Sequence, residues 1–131
     1  MSKLIEDIKT EEGFKGREYL DSLGKPTIGF GTLLPLDKKE AELLLEYRLN
    51  KFKSEVKSSL YDLDAPDEVW DILYHMAYQL GTKGLLQFKL MIKALRNKDY
   101  IRASKELKDS LWYRQTPNRA KRLIKRMESV A

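Results

Sequence analysis

Leu4, Ile5 and Ile8 recur at helical spacing near the start of the chain, and Gly13 follows as a natural stop. Residues 3–12 therefore predict a short helix. The pattern then changes. Tyr19-Leu20-Asp21, Ser22-Leu23-Gly24-Lys25 and Pro26-Thr27-Ile28-Gly29-Phe30-Gly31 read as strand, turn and strand, the one convincing β segment. Beyond Pro35 the spacing is helical almost to the end. Asp37 and Glu40 form a capping-box pattern, and Ala41, Leu45, Leu49, Phe52, Val56 and Leu60 follow in steps of three and four. Asp64-Ala65-Pro66 opens a second helix with Val69, Ile72, Leu73, Met76 and Leu80 inward and Gly81 just past its end. Shorter helices are expected over 84–97 and 99–111. Thr116-Pro117 reads as the N-cap and first residue of a last helix, with Ala120, Leu123, Ile124 and Met127 inward. The fold class is α+β and mostly helical: a small hairpin-containing lobe, a long helix and a helical lobe. The expected boundaries are about 13–36 for the small lobe and about 37–60 for the connecting helix. The helical lobe takes about 64–131 together with the N-terminal helix.

Composition narrows the chemistry more than the fold. A chain of 131 residues suits one domain, which can still form two lobes. With no cysteine there is no disulfide, thiol catalysis or thiolate-bound metal. His75 is the single histidine, and its place between inward positions predicts a solvent-facing side chain rather than a metal ligand. No cofactor or metal is expected. Chemistry must rest on carboxylates, hydroxyls, Lys, Arg or Tyr. Leu43-Leu44-Leu45 is the longest aliphatic run, far short of the roughly 20 residues of a membrane helix. Acidic Glu6 and Asp7 stand where an export signal would be apolar, so the expectation is synthesis in the cytoplasm without an export signal and without stable membrane insertion.

The formal charge of +5 is unevenly placed. Residues 1–36 hold five basic and six acidic side chains, so the excess lies further on. It is densest at Arg114, Arg119, Lys121, Arg122, Lys125 and Arg126. Such a face attracts polyanions, whether nucleic acid, anionic lipid or anionic cell wall. Charge does not choose among them.

Candidate chemistry gathers between Glu12 and Thr27. Glu12 ends the first helix, where partial negative charge disfavours an ionised carboxylate and suits a proton-holding acid. Asp21 ends one strand and Thr27 begins the next, so a short loop brings their side chains within reach of one water. An acid, a second carboxylate and a water-orienting hydroxyl are the parts of an inverting glycosidase. The same three residues are also commonplace at a helix end, before a turn and in a strand. The basic C-terminal face, with Trp112 and Tyr113 beside it, leaves a nucleic-acid-binding helical domain as the rival.

Longer motifs separate these readings. Glu12, eight residues, Asp21, five residues, Thr27 and then Ile28-Gly29-Phe30-Gly31 resembles the catalytic segment of the T-even phage lysozymes, glycoside hydrolase family 24. Met76-Ala77-Tyr78-Gln79-Leu80-Gly81, followed by Gly84 and Phe88, resembles the family's central helix. The run from Trp112 to Arg122 is similar to its C-terminal signature almost residue for residue. The resemblance spans residues 12–122 in order.

It implies the phage-lysozyme fold and cleavage of the β-1,4 bond between N-acetylmuramic acid and N-acetylglucosamine in peptidoglycan, with inversion. Glu12 would protonate the glycosidic oxygen, Asp21 would activate the water and Thr27 would help hold it. Arg119 and Gln79 would support the site, Arg119 by reaching back towards Glu12. Leu33, Tyr78, Met91 and Glu106 align with positions lining the saccharide groove, the last two with different residue types. Three departures stand out: Thr32 where the family usually has His, a short connection over Leu33–Leu36, and no aromatic tail after the last helix. The partner expected is bacterial peptidoglycan, reached by a monomer that binds no nucleic acid and depends on a holin for delivery. A free endolysin causing host lysis is the expected role. The alternatives are a virion-associated lysozyme and a non-catalytic basic helical binding domain.

Overall fold

The structure is a computed structural model describing residues 2–130. Its residues divide into two units, one ending at Leu44 and the other beginning at Leu45. The boundary falls inside α2 (Lys38–Ser59), the long helix expected from the sequence. α1, which was expected to join the helical lobe, falls within the first unit.

In the first unit, α1 (Lys3–Glu12) begins where the Ser2 hydroxyl accepts from the Ile5 amide at 3.1 Å. It ends as expected at Gly13, whose amide returns to the Lys9 carbonyl at 2.9 Å. β1 (Lys15–Leu20) and β2 (Pro26–Gly29) form the antiparallel hairpin. Tyr19 pairs with Thr27 and Leu20 with Pro26, and the register slips before Lys15 meets Gly29. A third strand that the alternation pattern did not reveal, β3 (Thr32–Leu33), pairs with β2 through Leu33 to Thr27 and Thr32 to Ile28. Two residues are too few for a period to register. The capping box forms reciprocally: the Glu40 amide donates to Asp37 Oδ1 at 2.8 Å, and the Asp37 amide to Glu40 Oε1 at 3.0 Å.

The second unit is helical and holds the core. α3 (Asp67–Leu86) lies at its centre, with Val69, Ile72, Leu73, Met76 and Ala77 wholly buried. Gly81 was expected just past the helix end. It breaks the helix as a left-handed kink, φ 78°, and helical turns then resume to Leu86. α4 (Lys89–Arg96), α5 (Tyr100–Lys108) and α7 (Pro117–Glu128) lay their apolar stripes on the same core. Val56 of α2 and Leu60 just beyond its end are buried there, with Leu49 and Phe52 packed at the margin.

One further helix, α6 (Leu111–Gln115), is too short to show a periodicity. Capping defines it: the Ser110 hydroxyl accepts from the Tyr113 amide at 3.1 Å. Thr116 corrects an expectation. Pro117 does open α7, but the Thr116 hydroxyl donates back to the Trp112 carbonyl at 3.0 Å and closes α6, so it makes no side-chain cap for α7. Asp64 likewise caps nothing and pairs with Lys98 at 2.9 Å. No helix among the described residues is long and apolar enough to cross a membrane.

Leu107 is fully buried where α5 meets the core. Leu107→Ala should lower unfolding free energy by about 2–5 kcal/mol through lost burial and the cavity left behind. Leu111→Ala, at a position 58% exposed, should cost a small fraction of that. Urea unfolding of the two variants checks the contrast.

Candidate active site

The hairpin loop between Asp21 and Thr27 is drawn in by hydrogen bonds to its own backbone. Asp21 Oδ1 accepts from the Leu23 and Lys25 amides, both at 2.9 Å. These two donors fix the carboxylate's direction. The Lys25 carbonyl in turn accepts from two groups, the Asp21 amide and the Thr27 hydroxyl, each at 2.9 Å. One oxygen atom thereby ties the backbone of Asp21 to the side chain of Thr27.

Thr27 is 2% exposed, one of two polar residues buried among those described, whereas Asp21 is half-buried. With its proton committed to Lys25, the Thr27 hydroxyl can act towards a water only as an acceptor. A water bound there would donate one hydrogen to Thr27 and keep the other for a base.

Glu12 comes to the same unit from the end of α1. Its side chain is exposed and lies across Gly31, the second of the two residues between β2 and β3. The segments either side are pinned by aromatic contact: Phe14 and Phe30 have ring centroids 5.4 Å apart, and Lys9 Nζ stands 5.3 Å from the Phe30 centroid. Neither ring was singled out from sequence. Leu33 on β3 is 52% exposed.

The other expected residues belong to the second unit. Tyr78 is exposed on α3, with its ring edge-on to Phe52 at 6.1 Å. Beside it, Gln79 Oε1 accepts from the buried indole of Trp112 at 3.0 Å, and Phe88 closes on that indole edge-on at 6.1 Å. Trp112 is thus a core residue.

Met91 and Glu106 line one cavity of about 200 Å³ with Gln87, Phe88, Lys89 and Leu90. Met91 is 1% exposed and packs in the core, so little of it can reach a ligand. Glu106 is held by Arg102, whose Nε donates to its Oε1 at 2.9 Å. Arg102 stands four residues before Glu106, a spacing that could have signalled the pair.

Arg119 is half-buried on α7. Its charge acts on exposed His75: partial burial first, then Arg126 and Arg119, push that imidazole below its ordinary range. The shift favours the neutral form of His75. Arg126 itself is tied to Glu68, whose carboxyl it holds below the usual carboxylate range through their hydrogen bond.

A small three-stranded sheet with an acid at its edge and a helical unit around α3 define a class, and comparison with known proteins agrees. The phage lysozyme family model matches residues 9–129, and the chain belongs to that family of lysozyme-type, peptidoglycan-hydrolysing enzymes. Among its relatives are probable T4-type lysozymes 1 and 2 of Dictyostelium discoideum, 28% and 30% identical, each alignment covering 98% of this chain and 95% of the relative. The pre-baseplate central spike protein Gp5 of Enterobacteria phage T4 is 28% identical over 92% of this chain but only 26% of its own length.

Gln79→Leu would leave the Trp112 indole N–H buried without a partner. It should cost about 1–3 kcal/mol of stability. Gln79→Glu, which keeps an acceptor, should recover most of that loss, as read by thermal unfolding at neutral pH.

Proposed function

We propose that the protein hydrolyses the β-1,4 bond between N-acetylmuramic acid and N-acetylglucosamine in peptidoglycan by direct displacement with inversion. Glu12 gives its proton to the glycosidic oxygen as the bond to the anomeric carbon breaks. A water held between Asp21 and Thr27 attacks that carbon from the opposite face and passes a proton to Asp21. Both carboxyl groups then return to their starting states by exchange with solvent.

The observation carrying this reading is the acceptor-only hydroxyl of Thr27, tied through Lys25 to a carboxylate whose direction two amides fix. A nucleophilic Asp21 would need no such water. Leu33, Tyr78, Gln79 and Glu106 are assigned to the saccharide groove and its support, and Arg119 to support of the acid. Met91, almost wholly buried, is assigned to the floor of the cavity it lines with Glu106.

In this reading the protein acts as a monomeric endolysin that crosses the inner membrane through a holin-type opening. The likeness to the phage T4 spike protein favours one second reading, a lysozyme carried in the virion. Mass spectrometry of purified particles distinguishes them: the chain is absent from particles if it is a free endolysin and present at fixed stoichiometry if it is virion-borne.

Glu12→Gln and Asp21→Asn should each lower cell-wall lysis by about 10²- to 10⁴-fold with circular dichroism unchanged. A folded variant retaining near-native lysis removes the role assigned to that residue.

Stereochemistry tests the water. The first muramic acid end released from a soluble glycan should be the α anomer, followed by NMR before mutarotation. Initial β anomer means retention, and with it a covalent intermediate in place of the water held by Asp21 and Thr27.

A further inference from the structure

Gly31 lies in the turn from β2 to β3 with φ 76°. A Cβ built on it would stand 2.5 Å from Glu12 Oε2, 2.6 Å from Cδ and 3.0 Å from Cγ. Gly29, two residues earlier, has a similar φ of 72°, but a Cβ there would meet nothing within 4 Å. The two glycines therefore meet the same left-handed requirement, and only one of them carries a side chain against its α-carbon.

We infer that Gly31 is a positioning residue for Glu12: the space of its missing Cβ is the seat in which the Glu12 carboxyl rests. This rests on the general-acid reading of Glu12. Non-bonded carbon atoms settle at roughly 3.5–4.0 Å, so a methyl group at position 31 drives the carboxyl back by roughly 1 Å. Glu12 is an exposed, flexible side chain and can yield, so the fold absorbs the methyl while the acid leaves its place. A displacement of that size costs on the order of a hundred-fold in rate when it moves a reacting group.

The test compares Gly31→Ala with Gly29→Ala on a soluble glycan and in thermal unfolding. Both variants place a Cβ at a positive φ, so both Tm values should fall. Only Gly31→Ala should lose kcat, on the order of a hundred-fold with KM nearly unchanged. Gly29→Ala should stay within a few-fold of the parent. In a Glu12→Asp background the carboxyl is one methylene shorter, its carbon near the Glu12 Cγ position at 3.0 Å from the added methyl rather than 2.6 Å, so the clash is eased. There, Gly31→Ala should cost less than a few-fold further, a strongly non-additive pair.

Equal kcat losses in the two alanine variants, or the same hundred-fold loss in the Glu12→Asp background, overturn the proposal. So does a Gly31→Ala chain that fails to fold while Gly29→Ala folds, since the space would then serve the backbone. Glu12→Gln run alongside keeps the two claims apart. Its retention of activity defeats the general-acid reading, whereas an inactive Glu12→Gln with an active Gly31→Ala defeats only the seat.

Discussion

The carbonyl oxygen of Lys25 is the point on which the hairpin of β1 and β2 closes. It takes the Asp21 amide from one strand and the Thr27 hydroxyl from the other. Because side chains alternate along a strand, a slip of one residue would turn Thr27 from its buried side to the opposite face. Two bonds to one acceptor, with the paired Asp21 carboxylate bonds, resist that slip locally. The unit around them is small and has little apolar burial to enforce register by other means. Short-range polar bonds here do what a hydrophobic face does in larger sheets.

The helical unit is held differently. Its stability comes from apolar stripes gathered around α3, and its polar contributions are few and specific. The Gln79 to Trp112 bond is the informative one: it satisfies a buried donor and at the same time orients an amide on the helix that bears Tyr78. A single side chain thereby serves both the packing of Trp112 and the helix that bears Tyr78. Glu106 shows the same economy at the surface, where Arg102 on the preceding turn fixes its carboxylate.

Much of this was legible in the sequence because the signals were local. Gly13, the Asp37 and Glu40 box, Pro117 and the Asp21 to Thr27 loop each declare themselves within a few residues. What stayed hidden depended on partners outside that range or on elements too short to show a period. β3 is made by pairing with β2, and α6 by caps at both ends. Gly81 reads as a stop, yet burial of Leu85 rewards resumption of the helix beyond the kink. Thr116 offers an N-cap side chain, and the neighbouring Trp112 carbonyl takes it. Resemblance supplied Met91 as a groove residue, but α4 turns that position to the core with Ile92 and Leu95.

The placement of Trp70 and Trp112 has a spectroscopic consequence. Both indoles lie beyond Leu45, one partly and one almost wholly buried, while the segment carrying Glu12, Asp21 and Thr27 contains only Tyr19 as a phenolic chromophore. Tryptophan emission therefore watches the helical unit alone. A denaturation curve recorded that way is blind to the hairpin, and coincidence with a probe placed near residue 23 is needed before the whole chain can be treated as melting in one step.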